Sequence, residues 1–296
     1  MLSPGETPGP GIERYLAPDS LEEAVRALAE GEATLLAGGT DLLPQTSLGT
    51  LAFKATLMNI RRLPELAGID VARGRIRIGA TATVAEVLES PLLAETAPVL
   101  LRAADCFASD QLRNMSTIGG NLCNASPAGD MIIPLLVLDA AVELAAWTGS
   151  DLKYRSLALK DFFVAPGVCR RAPHEILTAV RFAVPRPGFV AGFEKFGPRP
   201  ALEVALVSVG IGGVREDGAL TDARVAFGSV APTPIRAPRA EAALEGRPLD
   251  EDTFAAVARA AQDEVSPISD LRASAWYRGT LVAALTQRLL AHVAEM

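Results

Sequence analysis

Apolar and polar positions along the chain follow two different periods, which predicts a mixture of helices and strands. Behind the capping box Ser20-Leu21-Glu22-Glu23, apolar residues at helical spacing predict an amphipathic helix, and Gly31 stands where a left-handed C′ glycine would end it. Short apolar runs at Tyr15-Leu16 and Thr34 to Ala37 predict strands on either side of this helix. The chain therefore opens with a β-α-β unit, which favours a small, mainly parallel sheet.

The middle of the chain predicts further strands mixed with helices. Strands are expected at Ala55 to Ile60, in a hairpin over residues 69–79 that turns at Arg73-Gly74, in a pair around Val142 to Tyr154, and at Glu175 to Val184. A second capping box, Thr83-Val84-Ala85-Glu86, predicts a short helix, and Pro91 to Phe107 predicts a longer one. This part therefore favours a larger mixed or antiparallel sheet with helices against it.

A change of composition at Pro185-Arg186-Pro187-Gly188 marks a predicted domain boundary, because two prolines there oppose any continuous element. Beyond it, residues 204–214 and 223–230 predict a hairpin that turns at Asp217-Gly218, and three helical patterns follow at 240–244, 252–265 and 274–294. We therefore expect a first domain over residues 1–184, with lobes of about 1–59 and 60–184, and a C-terminal α+β domain over residues 185–296.

Composition and charge exclude two classes of partner. The chain has 296 residues, 49% of them hydrophobic, and a formal net charge of −7 with no basic stripe, which argues against nucleic-acid binding. The most apolar stretch, 131–147, contains Pro134, Asp139 and Glu143 and is too interrupted to insert into a membrane. Residues 1–10 have neither the basic segment nor the apolar segment of a secretory signal peptide, so a cytoplasmic location is expected.

Cysteine and histidine usage gives no metal site and no catalytic set. Cys106, Cys123 and Cys169 are far apart in sequence and form no C-x-x-C, so we expect reduced, mostly buried thiols and no cysteine-ligated cluster. With only two histidines, no histidine metal site or Ser/His/Asp arrangement is supported. Any redox chemistry would therefore need a bound organic cofactor.

Two glycine motifs carry the chemistry that the sequence does reveal. Residues 114–130 contain Gly119-Gly120, hydroxyls, three asparagines and the closing Asp130, and they predict a loop; Gly38-Gly39 follows a predicted strand and precedes a predicted helix start. Glycine pairs let backbone N–H groups turn toward an anion and let it approach closely. Neither motif fits the Rossmann or P-loop pattern. We therefore expect both motifs to bracket one diphosphate, which requires them to be neighbours in space.

At these residues the chain resembles the medium, FAD-binding subunit of the molybdenum hydroxylases, the family of carbon monoxide and xanthine dehydrogenases. The resemblance covers essentially the whole chain and is strongest at Ala37-Gly38-Gly39-Thr40-Asp41 and Thr117-Ile118-Gly119-Gly120-Asn121, followed by Ala125-Ser126-Pro127 and Asp130. It implies an α+β fold with a two-lobed FAD-binding domain of the vanillyl-alcohol-oxidase (PCMH) type. A C-terminal antiparallel sheet with helices would follow.

The resemblance also implies which residues contact non-covalently bound FAD. Residue type alone is equally consistent with Asp41 as a helix cap, Phe107 as core and Lys195 as a solvated lysine. The implied cofactor-binding residues are Leu35, Leu36, Ala37, Gly38, Gly39, Thr40, Asp41, Leu42, Phe107, Thr117, Ile118, Gly119, Gly120, Asn121, Asn124, Asp130, Leu177 and Lys195.

The function implied is electron relay. Electrons from a molybdopterin cofactor on a large partner subunit would pass through two [2Fe–2S] clusters on a small iron-sulfur subunit to FAD here, and then to NAD⁺, a quinone or dioxygen. A dimer of such heterotrimers is implied, and no side chain of this chain need act as a catalytic acid or base. Two alternatives stay open: a stand-alone FAD-dependent oxidase or reductase of the same fold, and a non-enzymatic module that binds a nucleotide diphosphate.

Overall fold

A computed structural model describes residues 11–199 and 203–296 of the chain. The segment 1–10, on which the prediction about targeting signals was made, lies outside the described residues. Three larger β-sheets follow one another along the described chain, and helices pack between and over them. Within these ranges, no helix combines the length and the apolar composition needed to cross a bilayer.

The N-terminal sheet has three parallel strands in the order β1-β3-β2, as the opening β-α-β pattern predicts. Ser20 caps the first helix by accepting the Glu23 backbone N–H at 3.2 Å, and the apolar face of this helix is buried. Gly31 has an extended φ of −178°, so its predicted role as a left-handed C′ glycine is wrong. The elements are β1 (Arg14–Leu16), α1 (Leu21–Glu30), β2 (Ala33–Leu36), α2 (Leu42–Ser47) and β3 (Thr56–Asn59).

The middle sheet has five antiparallel strands in the order β4-β5-β10-β6-β7. Its strands are β4 (Ile69–Ala72), β5 (Arg75–Gly79), β6 (Ala141–Trp147), β7 (Leu152–Ala158) and β10 (Glu175–Ala183), with β8 (Phe163–Ala165) and β9 (Val168–Cys169) forming a separate two-stranded sheet. The accompanying helices are α3 (Val84–Leu88), α4 (Pro91–Thr96), α5 (Pro98–Asp105), α6 (Asp110–Arg113), α7 (Ile118–Asn124) and α8 (Ile132–Val137).

Two predictions for this region are wrong in detail. The single helix expected over Pro91 to Phe107 is divided at Ala97, whose φ of −148° and ψ of 57° lie outside the helical region. Pro98 explains the break, because a proline disfavours helical geometry in the residue before it. The loop expected over residues 114–130 contains helix α7, which begins inside the second glycine motif.

The C-terminal sheet is antiparallel in the order β11-β12-β13-β14, and its predicted hairpin turns at Asp217-Gly218 with φ values of 49° and 79°. The three predicted helices are present and share one hydrophobic core with one face of this sheet. Its elements are β11 (Phe189–Phe196), β12 (Val207–Glu216), β13 (Ala219–Gly228), β14 (Ile235–Arg236), α9 (Pro238–Leu244), α10 (Glu251–Glu264) and α11 (Ala275–Glu295).

Helix α8 joins the middle and C-terminal parts. All six of its residues are buried, and it packs on β12 and β13. Glycines on β12 permit this approach, since a Cβ at Gly212 would lie 2.7 Å from Val137 Cγ1. Arg224 Nη1 donates to the Val137 carbonyl oxygen at 3.2 Å. The C-terminal sheet is therefore covered on both faces, and β11 is held near the second glycine motif.

Candidate functional site

The first glycine motif forms the connection, residues 37–41, between β2 and α2. Gly39 has a φ of 71°, a left-handed conformation that glycine adopts without strain. Within the described ranges, no hydrogen bond uses the backbone N–H groups of Gly38, Gly39, Thr40 or Asp41. Successive unpaired N–H groups around a left-handed residue form an anion-binding concavity. This connection therefore has the free N–H donors that a phosphate requires.

The second glycine motif has a different structure from the one predicted. Thr117 caps α7 by accepting the Gly120 N–H at 3.1 Å, while Ile118 N and Gly119 N donate to the carbonyl oxygens of Ala82 and Ala80 at 2.9 and 2.8 Å. The expectation that this glycine pair turns free N–H groups toward a ligand is therefore wrong. Gly119 instead permits close packing, because a Cβ there would lie 2.7 Å from the Ala80 carbonyl oxygen.

The two motifs are in contact with each other. A Cβ at Gly38 would lie only 2.0 Å from the Met115 carbonyl oxygen, so glycine is required for this approach. Thr40 Oγ1 and Ser116 Oγ are hydrogen-bonded at 3.0 Å. The spatial neighbourhood required for bracketing one diphosphate is therefore present.

A side-chain bridge connects the far end of the second motif to the first. Gln45 Nε2 donates to Asn124 Oδ1 at 3.4 Å and also to the Asp41 carboxylate. Asp41 occupies the N-cap position of α2 but makes no side-chain capping hydrogen bond, so the helix-cap alternative is wrong for its carboxylate. Asp41 and Asn124, both predicted site residues, thus belong to one hydrogen-bonded group.

Two buried oxygens in this region have no hydrogen-bond donor: Asn121 Oδ1 and Asp130 Oδ1. Leaving a buried acceptor unpaired typically costs about 1–3 kcal/mol, so native structures rarely keep such atoms unpaired without a ligand or water. Both atoms require donors, which the hydroxyls of a flavin dinucleotide offer. The residues present therefore fit the cofactor that the resemblance implies.

The other carboxylate oxygen of Asp130 is paired with a lysine from the C-terminal sheet. Lys195 Nζ lies 2.5 Å from Asp130 Oδ2, and the two side chains are only 7% and 8% exposed. Burial raises the pKa of Asp130 to about 6, although the Lys195 charge and hydrogen bond lower it. Lys195 Nζ also donates to the Cys106 carbonyl oxygen at 3.2 Å. The solvated-lysine alternative is therefore wrong.

The remaining predicted residues differ in how deeply they are buried. Phe107 follows Cys106, packs partly buried against the core of the middle part, and accepts from Arg113 Nη1 at 2.9 Å through its carbonyl oxygen. Leu177 lies on β10, is 3% exposed and belongs to the same core. Leu35, Leu36 and Ala37 are half-buried at the end of β2, and Leu42 begins α2.

Sequence reasoning missed several residues that contact the two motifs of the candidate site. Gln45 had a local signal, because it stands four positions after Asp41 in a predicted helix, where the two side chains meet. Ser116 is a buried hydroxyl that bonds Thr40, and Arg61 reaches Met115 Sδ at 3.1 Å. The Cys106 carbonyl oxygen had no signal, since any residue type supplies a carbonyl.

Comparison with known proteins identifies the family over nearly the whole chain. A family model described as the FAD binding domain in molybdopterin dehydrogenase matches residues 10–187. A second family model, described as the CO dehydrogenase flavoprotein C-terminal domain, matches residues 193–293.

Individual relatives also match over nearly the whole chain. The xanthine dehydrogenase FAD-binding subunit of Escherichia coli O157:H7 is 32% identical over 275 residues, covering 92% of each chain. The glyceraldehyde dehydrogenase medium chain of Sulfolobus acidocaldarius is 31% identical over 281 residues, covering 95% of this chain and 98% of its own. A chain of reconstituted CO dehydrogenase from Oligotropha carboxidovorans has a TM-score of 0.91 at 30% identity, covering 97% of this chain and 99% of its own.

These matches confirm the predicted α+β architecture, in which a two-lobed FAD-binding part precedes an antiparallel C-terminal sheet with helices. The first family model alone spans more than half of the chain. The chain therefore belongs to the FAD-binding medium-subunit family of the molybdopterin dehydrogenases.

Proposed function

We propose that this protein is the FAD-carrying subunit of a molybdenum-containing dehydrogenase and relays electrons from the [2Fe–2S] clusters of a partner to a terminal acceptor. The observation that carries the proposal is the contact between Gly38 and Met115, which sets four unpaired N–H groups beside the helix that bears Asn121. A diphosphate with hydroxyl-bearing arms matches both the donors of the first motif and the unpaired acceptors.

Different residues would hold different parts of FAD. The N–H groups of residues 38–41 would receive the pyrophosphate, while Asn121 Oδ1 and Asp130 Oδ1 would accept cofactor hydroxyls. Lys195 would act mainly through Asp130, whose carboxylate it holds in place at 2.5 Å.

The rest of the predicted set would shape the groove around these contacts. Thr117, Ile118, Gly119 and Gly120 would position α7 through their hydrogen bonds and close packing. The sides of this groove would be formed by one polar residue and six apolar residues: Asn124, and Leu35, Leu36, Ala37, Leu42, Phe107 and Leu177.

FAD, when bound, supplies the redox chemistry, because flavins accept electrons one or two at a time. The chain's own residues bind and orient the cofactor and set the charge around it. No side chain is required as a general acid or base for the relay. The terminal acceptor would be NAD⁺, a quinone or dioxygen.

The proposed partners are a small iron-sulfur subunit and a large molybdopterin subunit, in a dimer of heterotrimers. Support comes from the relatives, which are named as FAD-binding subunits or medium chains of larger dehydrogenases. Those relatives are subunits of xanthine, glyceraldehyde and carbon monoxide dehydrogenases. Because similar FAD-binding subunits occur with such different substrates, a partner subunit would determine the substrate. A cytoplasmic location stays a prediction of the sequence.

We also propose a division into domains at about residue 185, with residues 1–184 holding FAD and 185–296 completing the site. In support, the two family models meet between residues 187 and 193. Lys195 is the second domain's contribution, because it lies on β11 and reaches Asp130.

Purification of the chain with its partners tests the function. The expected result is a yellow protein that releases FAD on denaturation and co-purifies with iron-sulfur and molybdopterin subunits, identified by mass spectrometry. Reduction of the flavin by candidate substrates in the isolated chain would contradict the relay and favour a stand-alone oxidase. A colourless chain that does not bind added FAD would contradict the cofactor assignment and favour the non-enzymatic module.

A further inference from the structure

Two cysteines that are remote in sequence lie side by side in the fold. Cys123 is in α7 and Cys169 ends β9, and Cys169 Sγ lies 3.9 Å from the Cys123 carbonyl oxygen. Both are free, and each is partly buried against the core of the middle part, in keeping with the prediction that the thiols are mostly buried. Neither thiol has a role in the candidate FAD site.

The backbone holds the two cysteine segments together. Gly167 N, in the turn between β8 and β9, donates to the Ala125 carbonyl oxygen at 3.1 Å, just beyond the end of α7. Helix α7 also packs against β9. The two cysteine-bearing segments are therefore in backbone contact, and a bond between the thiols would join segments that already touch.

The surroundings of the two thiols make them unequal. The pKa of Cys123 is raised well above its usual value, chiefly by the neighbouring Cys169 thiol and by burial, whereas the pKa of Cys169 is lowered to about 6, chiefly by the neighbouring Cys123 thiol. The Arg171 charge also lowers the pKa of Cys169. A thiolate is the form of cysteine that attacks peroxides, so Cys169 is the expected nucleophile and Cys123 the partner that resolves the product.

We propose that Cys123 and Cys169 form a modification site, in which hydrogen peroxide converts the two thiols into a disulfide between α7 and β9 and a dithiol reduces this disulfide back to the thiols. The Cys169 thiolate attacks the peroxide oxygen, cleaving the O–O bond and, after proton transfer, giving a sulfenic acid and water. The Cys123 sulfur then attacks the sulfenic sulfur, forming the S–S bond and releasing a second water molecule as the Cys123 proton leaves with the hydroxyl group. Two thiols are oxidised and one hydrogen peroxide is reduced.

Thiol chemistry on the full chain tests this proposal. With iodoacetamide near neutral pH, Cys169 should be alkylated about tenfold or more faster than Cys106, whose pKa burial raises. Hydrogen peroxide should yield a peptide pair linked through Cys123 and Cys169, two hydrogen atoms lighter than the separate peptides, and dithiothreitol should restore both thiols.

Two variants separate this chemistry from general oxidation. Cys123→Ser should stop the reaction at a sulfenic acid on Cys169, which dimedone traps, whereas the control Cys106→Ser should still give the linked peptides. The proposal is overturned if wild-type protein gives no linked pair with peroxide, or if Cys106 and Cys169 are alkylated at equal rates.

Discussion

Among single residues, Asn121 and Asp130 matter most to the site, because each keeps a buried oxygen without a donor. Asp130 also carries the perturbed carboxyl of the site, with a pKa raised from 3.8 to about 6 by burial. The folded chain thus binds this proton more tightly than the unfolded chain does. The contribution of Asp130 to stability is therefore greatest below about pH 4 and is lost as the pH rises to about 6.

FAD binding should show the opposite pH dependence. A cofactor hydroxyl that donates to Asp130 prefers the carboxylate, so FAD affinity should fall as the pH drops below about 6, at most about tenfold per pH unit. Titrations of flavin fluorescence from about pH 5 to about pH 8 measure this slope. Asp130→Asn should remove the slope while exposed Asp151→Asn keeps it; equal slopes in all three proteins would contradict the role of Asp130.

Gly38 is the residue on which contact between the two motifs depends. In Gly38→Ala the new Cβ would lie 2.0 Å from the Met115 carbonyl oxygen, which forces the motifs apart. We expect FAD affinity to fall about tenfold or more and the free energy of unfolding to fall by about 1–3 kcal/mol. Flavin titration and denaturant unfolding measure the two effects.

Gly31→Ala is the matched control for this change, because Gly31 has an extended φ of −178° and no heavy atom within 4 Å of an added Cβ. Both properties should stay close to those of the wild type in that variant. Unchanged FAD affinity in Gly38→Ala would show that the motifs do not need this contact.

At the level of helices and strands, glycine packing decides how closely α8 approaches β12. In Gly212→Ala the Cβ would meet Val137 Cγ1 at 2.7 Å and Ala191 Cβ at 2.9 Å, so we expect a loss of about 1–3 kcal/mol in unfolding free energy. Gly279→Ala in α11 has open space around the Cβ and should gain up to about 1 kcal/mol from helix propensity. Denaturant unfolding distinguishes the opposite signs; equal effects would contradict this packing.

The helices and strands also show where sequence patterns suffice. The apolar stripe of α11 was predicted, and Leu281, Leu285, Leu289 and Val293 are all buried on one face. Helix α7 was missed because glycine pairs disfavour helices, and its first N–H groups bond carbonyls of residues 80 and 82, which a local pattern does not reveal. Strand β11 was not predicted, and its neighbour β12 lies after an intervening segment along the chain.

Across the whole molecule, the sequence predicts the two motifs that meet at the candidate site but not how distant segments complete it. A glycine pair is visible in the sequence, although the pair Gly212-Gly213 on β12 lies outside the candidate site. The pair formed by Asp130 and Lys195 joins residues 65 positions apart, and their meeting follows from the way α8 packs under the C-terminal sheet. Likewise the central position of β10 depends on its pairing with β5, about a hundred residues earlier.

This long-range arrangement predicts that FAD binding increases the local stability of β11 in the C-terminal part. Lys195 on β11 holds one oxygen of Asp130 and leaves the other for a cofactor hydroxyl, so the bound cofactor should stabilise the contact between β11 and the segment at Cys106. Hydrogen exchange measured by mass spectrometry should then be slower with FAD in residues 37–41 and in β11, and should change least in α10, whose main packing partners are α9 and α11.

A variant shows whether the protection of β11 depends on Lys195. Lys195→Met keeps the length and apolar stem of the side chain but removes its charge, so Asp130 loses its ion pair. FAD should still slow exchange in residues 37–41 of this variant, although more cofactor will be needed, whereas β11 should lose most of its added protection. In this proposal, the effect of FAD reaches β11 through the ion pair between Asp130 and Lys195. Equal protection of β11 in the wild type and in Lys195→Met would therefore show that FAD stabilises the C-terminal sheet in another way.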